Sequence, residues 1–411
     1  MEYLTKKENV KIYLISDTHL IANQLHDNGE AFQKMRDTSA GKDLDYQNLA
    51  LKAFVRKIMQ DKPNAVVITG DLTFNGEKIS AEKLAKIFQP IAQAGIAFLV
   101  LPGNHDIYDG WARKFEQDSQ IRIAQNSPND WKKIFSNSYK AAYHFDPSSL
   151  SYSVNLNPDY RLILLDSNIY GDEFSYSYPI TNGRLNNKQL TWIKNEIKDA
   201  YQNKQKVLFF MHHNLYVHNS VIHGGFVLDN TEDLQKIFTK YQIPVVFSGH
   251  IHAQNIAEST SCPTIEVASS CFSMTDQGYG IISLSPKKIN YQRQSFEMNK
   301  YLTAEEIKLL PNRDFHQYLF KIFTKANTNQ TSWLKNVIPN AEEREKILSF
   351  INQCNWNFFI GKSFYTQDQL TKIKNSHVYQ DIKQKLPKMK NYLDSLLTEK
   401  RDSWHFEIKF K

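Results

Sequence analysis

The chain has 411 residues, of which 41% are hydrophobic and 13% aromatic, so it can bury a large core. This length suits two or three domains, or one large α/β domain with an appendage. The mean hydropathy is −0.52, and neither a membrane span nor an N-terminal signal peptide is visible. These features exclude a disordered or membrane-spanning chain. They predict a soluble, cytoplasmic protein, although an exported protein whose leader had been removed would look the same.

The net charge of +7 comes from the C-terminal part of the sequence. Residues 291–411 contain 20 Lys and Arg against 13 Asp and Glu, so the first 290 residues are formally neutral. Ten of the 13 histidines precede residue 253. The three cysteines are too few for a disulfide framework and lack metal-binding spacing, so they are predicted to be small buried hydrophobes. The excess of positive charge and most of the histidines therefore lie in different parts of the chain.

Residues 11 to 290 alternate short β-branched runs with helical patterns, which is typical of a layered α/β fold. The predicted strands are KIYLISD, NAVVITGD, AFLVLPG, RLILLDS, KVLFFMHH, PVVFSGH and TIEVASS. Between them, helices are predicted over YQNLALKAFVRKIMQ, SAEKLAKIFQPIAQAG, NNKQLTWIKNEIKDAYQN and TEDLQKIFTKY. Ser80 is the predicted N-cap of the second helix, and Gly95 its stop. Residues 281–298 are predicted to form two strands joined across a Pro-Lys-Lys turn.

From about Leu302 onward the apolar spacing becomes helical, and no strand is indicated until the tail FEIKF. We therefore predict two domains, an α/β domain over residues 1–300 and a helical C-terminal domain over residues 301–411. The lysines between residues 383 and 390 are expected to form a solvated helix face.

Five polar blocks follow the C-terminal ends of hydrophobic strands, where ligands bind in open α/β sheets. The blocks are Asp17-Thr18-His19, Gly70-Asp71, Gly103-Asn104-His105-Asp106, His212-His213 and Gly249-His250-Ile251-His252. In the first and last blocks the polar residues are two apart, so strand periodicity would direct both side chains to one side. A single block of this kind is commonly a turn or a buried pair. Five blocks in one consistent arrangement favour a metal site.

From these blocks we count seven side chains as metal donors through nitrogen or oxygen: the carboxylates of Asp17 and Asp71, the amide of Asn104, and the imidazoles of His19, His212, His250 and His252. A donor set without sulfur suits Mn, Fe, Zn or Co. Seven ligands are too many for one tetrahedral site, but they fit two ions about 3.5–4 Å apart that share a carboxylate. Asp71 can supply that carboxylate through its two oxygens. Two divalent ions against two carboxylates leave positive charge, so a phosphoester substrate is predicted.

The order of the blocks resembles the calcineurin-like metallophosphoesterase superfamily over residues 11 to about 290. The segments LHDNGEAF, GDLTFNGE and GHIHAQNI further resemble class III cyclic-nucleotide phosphodiesterases, particularly the longer Gram-positive members with a helical C-terminal extension. The resemblance implies a four-layer α-β-β-α sandwich in which two facing sheets are flanked by helices. It also implies that one ion is held by Asp17, His19, Asp71 and His252, and the other by Asp71, Asn104, His212 and His250.

The resemblance further implies a catalytic role for His105, which would contact the phosphate or the leaving oxygen, with Asp106 orienting it. The fourth block departs from the His-His-Pro that is frequent in the family, because Asn214 follows His213. His213 has two interpretations, a contact to the phosphate or nucleotide, and a hydrogen-bonding residue that supports the adjacent ligand. Four more loop residues could line the pocket or be structural: His26, Asn75, His218 and His223.

These features predict a dinuclear hydrolase in which a metal-bridging hydroxide attacks phosphorus in line, with a cyclic nucleotide as substrate. Three alternatives stay open at this point. A phosphomonoesterase would use the same core, and a nuclease would hold nucleic acid through the basic C-terminal segment. A binding module without metal is disfavoured because every ligand position carries a competent donor.

Overall fold

The computed structural model describes residues 2–410, which fold around two mixed β-sheets. The strands are β1 (Val10–Ile15), β2 (Ala65–Thr69), β3 (Ala97–Leu101), β4 (Arg113–Glu116), β5 (Ser119–Arg122), β6 (His144–Phe145), β7 (Tyr152–Asn157), β8 (Tyr160–Leu165), β9 (Lys206–Met211), β10 (Val245–Ser248), β11 (Asn255–Ala257), β12 (Ile265–Ala268), β13 (Tyr279–Ser285), β14 (Lys288–Gln294) and β15 (His405–Lys409). The first sheet has the order β15-β14-β13-β1-β2-β3, and the second β11-β12-β10-β9-β8-β7-β6. Strands β4 and β5 form a separate hairpin.

Parallel pairing brings the functional loops to common edges. In the first sheet β1, β2 and β3 are parallel, with Ile12 opposite Ala65 and Ala65 opposite Ala97. In the second sheet β8, β9, β10 and β12 are parallel neighbours. Parallel strands end at the same edge of a sheet, so the loops after β1, β2 and β3 are neighbours, as are those after β9 and β10.

Helices cover the sheets and fill the C-terminal region. They are α1 (Glu30–Thr38), α2 (Gln47–Asp61), α3 (Lys78–Gln93), α4 (Pro128–Ile134), α5 (Ser136–Lys140), α6 (Asn187–Gln202), α7 (Thr231–Tyr241), α8 (Ala304–Lys308), α9 (Phe315–Gln330), α10 (Leu334–Val337), α11 (Ala341–Phe359), α12 (Gln367–Asn375), α13 (His377–Lys385) and α14 (Pro387–Leu396). Helices α6 and α7 bury Ile193 and Phe238 against Phe209 of the second sheet. Helices α2 and α3 bury Phe54 and Phe88 in the cluster that contains β1, β2 and β3. The predicted α-β-β-α arrangement is confirmed.

Most predicted elements are present, and the differences have local causes. Helix α3 begins at Lys78 with Glu77 at its N-cap position, so the prediction of Ser80 as N-cap is wrong. The Ser80 hydroxyl instead accepts a hydrogen bond from the Ala22 amide at 3.1 Å. Gly95 follows the helix end as predicted, with φ of 76°. Strands β4, β5, β6, β7 and β11 were not predicted from the sequence.

The C-terminal region is helical from α8 to α14, and the predicted tail strand is β15. Strand β15 pairs antiparallel with β14, placing Phe406 opposite Tyr291. The helices also form a core cluster in which Ile382 and Leu393 are buried together with Ile251. In residues 2–410, none of the helices combines the length and hydropathy needed to cross a bilayer. The helical region therefore packs against the α/β region through β15, through this cluster, and through Phe315 and Phe323 of α9, which lie in core clusters with residues of the first region.

Candidate metal centre

The predicted ligands meet where the strand ends of the two sheets face each other. Each follows a parallel strand: Asp17 and His19 follow β1, Asp71 follows β2, Asn104 follows β3, His212 follows β9, and His250 and His252 follow β10. All are buried except His252, whose side chain is 20% exposed. A site enclosed in this way strengthens electrostatic interactions with whatever it binds.

Five of the seven predicted ligands have a left-handed backbone. Their φ angles are 55° at Asp17, 39° at His19, 49° at Asp71, 70° at His250 and 62° at His252. Such angles are uncommon outside glycine and cluster at functional sites. The expected strand periodicity of the two spaced pairs is therefore wrong, because these residues lie beyond the ends of β1 and β10. Tight turns after β1 and β10, rather than extended strands, direct the two side chains of each pair into the site.

One group of donors gathers Asp17, His19, Asp71 and His252, whose ligand atoms lie within 4.8 Å of one another. Asp17 Oδ1 lies 3.3 Å from His252 Nε2, and His19 Nε2 lies 3.6 Å from Asp71 Oδ2. Asp17 Oδ1 is buried and accepts no hydrogen bond from any described residue. A buried carboxylate oxygen without a partner is costly unless a cation compensates it. These residues therefore fit a metal ion.

A second group brings Asp71, His212 and His250 together. Asp71 Oδ1 lies 3.4 Å from His212 Nε2, which in turn lies 3.1 Å from Asn104 Oδ1. His212 Nδ1 donates to the Thr69 carbonyl at 2.8 Å, so Nε2 is the nitrogen that can bind a metal once it has lost its proton. The same argument applied to His250, whose Nε2 lies 2.9 Å from the Thr181 carbonyl, leaves its Nδ1 for a metal. Asp71 thus directs one carboxylate oxygen to each group, as a bridging ligand would.

Two glycines of the polar blocks permit this close approach. A Cβ at Gly70, where φ is 94°, would collide with the His212 ring. A Cβ at Gly103 would collide with the Asp71 carboxylate. Both positions therefore require the absence of a side chain, which explains why glycine precedes Asp71 and Asn104 in the sequence.

The charges of the cluster depend on one another. Burial disfavours a charged His212, but the Asp71 carboxylate outweighs it and raises the pKa of His212 to about 9. Burial, and then the neighbouring His212, lower the pKa of His250 to about 3. A metal ion must displace the proton from His212, so we expect metal binding to release protons and to weaken as the pH falls.

His105 lies at the edge of the cluster and is the most accessible candidate for a proton donor. Its side chain is 22% exposed, and its ring centre is 5.5 Å from that of His19. His105 Nδ1 lies 3.2 Å from both Asp109 Oδ2 and Asn75 Oδ1. Burial opposes protonation, but the charges of Asp71 and then Asp109 raise the pKa of His105 above its ordinary value. Two bound cations would oppose this effect.

Asp106 does not orient the His105 ring, so that prediction is wrong. Its carboxylate accepts hydrogen bonds from the amides of Leu72, Thr73 and Gly103 at 2.8–3.0 Å. Asp106 thereby fixes the turns that carry Asp71 and Asn104. The acid beside the ring is Asp109, four residues after His105. The spacing of four residues between His105 and Asp109 was the sequence feature that could have indicated this pairing. The pairing also requires a compact turn after β3, which was not predicted.

His213 is fully buried beside the metal centre, and both of its ring nitrogens contact the protein. Nδ1 lies 2.8 Å from Ser167 Oγ and Nε2 lies 3.1 Å from the Thr181 carbonyl. This arrangement favours the hydrogen-bonding role over the phosphate contact. Of the other candidates, Asn75 contacts His105, whereas His26 stacks on Phe32 and His218 pairs with Glu266. His223 lies exposed in the loop between β9 and α7.

Cys271 also lies beside the first donor group, which the sequence analysis did not foresee. Its Sγ is within 4.8 Å of the ligand atoms of His19 and His252 and 3.1 Å from the Asp17 carbonyl. Burial raises the pKa of the thiol to about 12. Because the thiolate is the form that binds metals, the nitrogen and oxygen donors fit an ion better.

Comparisons with known proteins show phosphoesterase relatives of this chain. A family model described as calcineurin-like phosphoesterase matches residues 10–254, and one described as the C-terminal domain of cyclic nucleotide phosphodiesterase matches residues 291–403. A probable cyclic nucleotide phosphodiesterase from Psychrobacter sp. (strain PRwf-1) is 27% identical over 46% of each chain. A probable glycerophosphodiester phosphodiesterase from Arcobacter nitrofigilis is 27% identical over 47% of this chain and 58% of its own. The chain thus spans about half the length of these two relatives.

A dimetal phosphatase from Danio rerio has a similar crystal structure, with a TM-score of 0.52 and 13% identity. The similarity covers 70% of this chain and 96% of that chain, which shows a shared fold. The phosphoesterase model covers more than half of the present chain and includes every predicted ligand. The resemblance predicted from the sequence is thereby confirmed, and the chain belongs to the calcineurin-like phosphoesterase family.

Proposed function

We propose that this chain is a dinuclear, metal-dependent phosphodiesterase that hydrolyses cyclic nucleotides. The observation that carries the proposal is Asp71, whose Oδ2 lies near His19 and whose Oδ1 lies near His212. The donor set suits Mn, Fe or Zn. When bound, two such ions supply positive charge for the phosphate and an activated water. The relatives with phosphodiesterase names support a diester substrate.

The residues around the ions have separate tasks in this proposal. Asp17, His19, Asp71 and His252 would hold one ion, and Asp71, Asn104, His212 and His250 would hold the other. His105 donates a proton to the leaving oxygen, and Asp109 fixes the His105 ring through Nδ1. His213 supports its neighbour His250, whose ring centre is 4.5 Å away. The proposed division into a catalytic domain (1–300) and a helical domain (301–411) assigns all these residues to the first.

A cavity of about 430 Å³ beside His19 and His105 favours a nucleotide as the substrate. Phe74 and Trp111 line it, and Trp111 is 50% exposed. Aromatic side chains stack on nucleobases regardless of their sequence. A glycerol-based diester offers no flat surface for such stacking. The cavity therefore supports a nucleotide substrate over the glycerophosphodiester of the second relative.

A substrate panel with metal analysis tests the proposal. We expect two metal ions per chain, and higher kcat/KM for 2',3'- or 3',5'-cyclic nucleotides than for nucleoside monophosphates or single-stranded DNA. Release of inorganic phosphate as the main reaction would identify a phosphomonoesterase instead. Activity on DNA that falls steeply with salt would identify a nuclease.

His105→Ala tests the assignment of the proton donor. The variant should keep both ions but lose on the order of 10²- to 10⁴-fold activity on a cyclic nucleotide, the usual range for a general acid or base. The loss on bis(p-nitrophenyl) phosphate should be clearly smaller, because nitrophenolate leaves without a proton. Equal losses on both substrates would assign His105 to electrostatic stabilisation of the phosphate. Loss of an ion would make His105 a ligand.

A further inference from the structure

The described side chains that line the cavity beside the metal centre carry a net positive charge. Among the described residues that line it, Lys42 and Arg113 carry positive charges and none carries a carboxylate. One guanidinium nitrogen of Arg113 donates to the Gly110 and Ala112 carbonyls at 2.7 and 2.9 Å. These bonds fix the Arg113 side chain and leave its other N–H groups available for a ligand. The cavity therefore presents an anchored guanidinium and an ammonium to its contents.

Lys42 lies on a segment that is held from both sides. Its amide donates to the Ser39 carbonyl at 3.2 Å, and the next amide, that of Asp43, donates to the Ser273 carbonyl at 2.7 Å. Ser273 in turn donates through its amide to the Asp17 carbonyl. The position of Lys42 is thus linked through backbone hydrogen bonds to the turn that carries a predicted ligand.

A second feature shows that this positive charge is maintained at a cost. Arg113 of β4 lies directly opposite Arg122 of β5 in the hairpin register. Like charges in directly opposed positions destabilise a strand pair. Burial and then Arg122 lower the pKa of Arg113, and Asp109 only partly opposes them. Arg122 is partly accommodated by stacking on Tyr176, with its guanidinium 4.8 Å from the ring centre. An anion bound beside Arg113 would relieve this repulsion.

The reacting phosphate does not account for these cations. A phosphodiester carries one negative charge, and two divalent ions held by the carboxylates of Asp17 and Asp71 already offset it. Lys42 and Arg113 add two further charges in the cavity where Trp111 would stack on the base. A terminal phosphate carries about two negative charges and several acceptor oxygens, which match an ammonium and a guanidinium.

We infer that the cavity lined by Lys42 and Arg113 binds a second, terminal phosphate of the substrate. This inference rests on the proposed function and narrows it: the preferred substrates are cyclic nucleotides that carry a phosphate monoester in addition to the reacting diester. Trp111 contacts the base, and Lys42 with Arg113 binds the terminal phosphate, while the residues of the metal centre would hold the ions that supply charge and an activated water for hydrolysis of the diester. The two cations thus determine specificity.

Two nucleotides that differ only in the terminal phosphate test the inference. The metal-loaded enzyme is compared on adenosine 2',3'-cyclic phosphate and on the same compound with a 5'-phosphate. Charge-assisted hydrogen bonds of this kind should raise kcat/KM for the 5'-phosphorylated compound by about tenfold or more, mainly through KM. Equal values of kcat/KM for the two compounds would overturn the inference without any variant. Preferred hydrolysis of oligonucleotides that lack a terminal phosphate would also overturn it.

The variants K42M and R113M should each reduce this preference towards equality. Lys114→Met is the matched control. Lys114 follows Arg113 on β4, so its side chain points to the opposite face of the strand, and it pairs with Glu116 at 3.1 Å. The control should keep the preference, and an unchanged ratio in both K42M and R113M would contradict the assignment. Activity on bis(p-nitrophenyl) phosphate separates the two proposals. If that activity is present and no preference is found, only the inference fails; if the wild type hydrolyses no diester, the proposed function fails with it.

Discussion

Residues 10–294 and residues 304–396 use their polar side chains in different ways. In the first region, buried polar side chains from five separate loops converge on one place. In the second, charged side chains pair on helix surfaces, as Lys385 does with Glu343, while the buried cluster is apolar. The excess of positive charge is therefore a property of helix surfaces and is separate from the metal centre.

The two regions nevertheless share one loop. Ile251 lies between the predicted ligands His250 and His252 and is buried in the cluster formed by α11, α13 and α14. Farther along the loop, the Gln254 amide donates to the Phe359 carbonyl at 3.0 Å. The helical region contributes no predicted ligand, but it packs behind the loop that holds two of them. The helical region can therefore influence the metal centre by positioning the loop that carries His250 and His252.

The largest effect is expected from Asp71→Ala in the first region. Asp71 is assigned to both ions, so its loss should reduce metal content and activity. The reduction should exceed the roughly 10- to 100-fold that is typical when a residue that only hydrogen-bonds to a metal ligand is replaced. Metal analysis and initial rates measure this directly. Asn104→Ala is the matched control, since it removes one neutral donor from one ion. Two retained ions and near-normal turnover in the Asp71 variant would refute the bridging assignment.

A smaller loss is expected from Asp109→Asn, which should lower kcat by roughly 10-fold while the protein stays folded. Because Asp109 raises the pKa of His105, its removal should move the His105 limb of the pH-rate profile to lower pH. Asp106→Asn should instead lower stability, by about 1–3 kcal/mol, since its carboxylate accepts three buried amide bonds. Denaturant titration separates the two outcomes. An unshifted pH profile in the Asp109 variant would argue against the positioning role.

Ile251→Ala compared with Ile382→Ala tests the loop that the regions share. Both residues are buried in the same cluster, so each substitution should lower stability by about 2–5 kcal/mol. Only Ile251→Ala should also weaken metal retention, because Ile251 lies between His250 and His252. Urea unfolding and dialysis against a chelator provide the two measurements. Equal metal retention in both variants would show that the helices do not position the ligands.

The smallest effect is expected from Glu306→Gln, which breaks a two-bond ion pair between α8 and α2. Glu306 lies 2.6 and 2.7 Å from two guanidinium nitrogens of Arg56, and this contact lowers its pKa to about 2, with burial opposing. Arg56 is 41% exposed, so the pair should contribute only about 0.2–1 kcal/mol. Because the folded pKa is depressed, the contribution is present above pH 4.5 and is lost as the pH falls towards 2. A difference between variant and wild type that persists at pH 2 would contradict this explanation.

The fold was largely predictable because its strands are apolar and end in polar blocks. The seven ligands could be identified from the polar blocks after the strands and from the family resemblance, and the structure brings all seven together. The β4–β5 hairpin was not predictable, since all four residues of β5 are exposed and show no apolar alternation. The partner of His105 was missed because it depends on the turn after β3 rather than on sequence adjacency. The left-handed φ angles at Asp17 and His250 could not be predicted either, because among the residue types only glycine indicates such an angle in a sequence.

Pairing of β14 with β15 has a consequence for how the protein is made. Residues 295–404 separate these two strands, so β14 presents a free edge until β15 has left the ribosome. Exposed strand edges are sites of intermolecular pairing. The nascent chain therefore passes through a stage in which the metal-binding loops are all synthesised while the first sheet can still pair with another molecule. Chaperone dependence of expression should be concentrated in that interval, and should fall when residues 405–409 cover β14 and leave the shorter β15 as the edge strand.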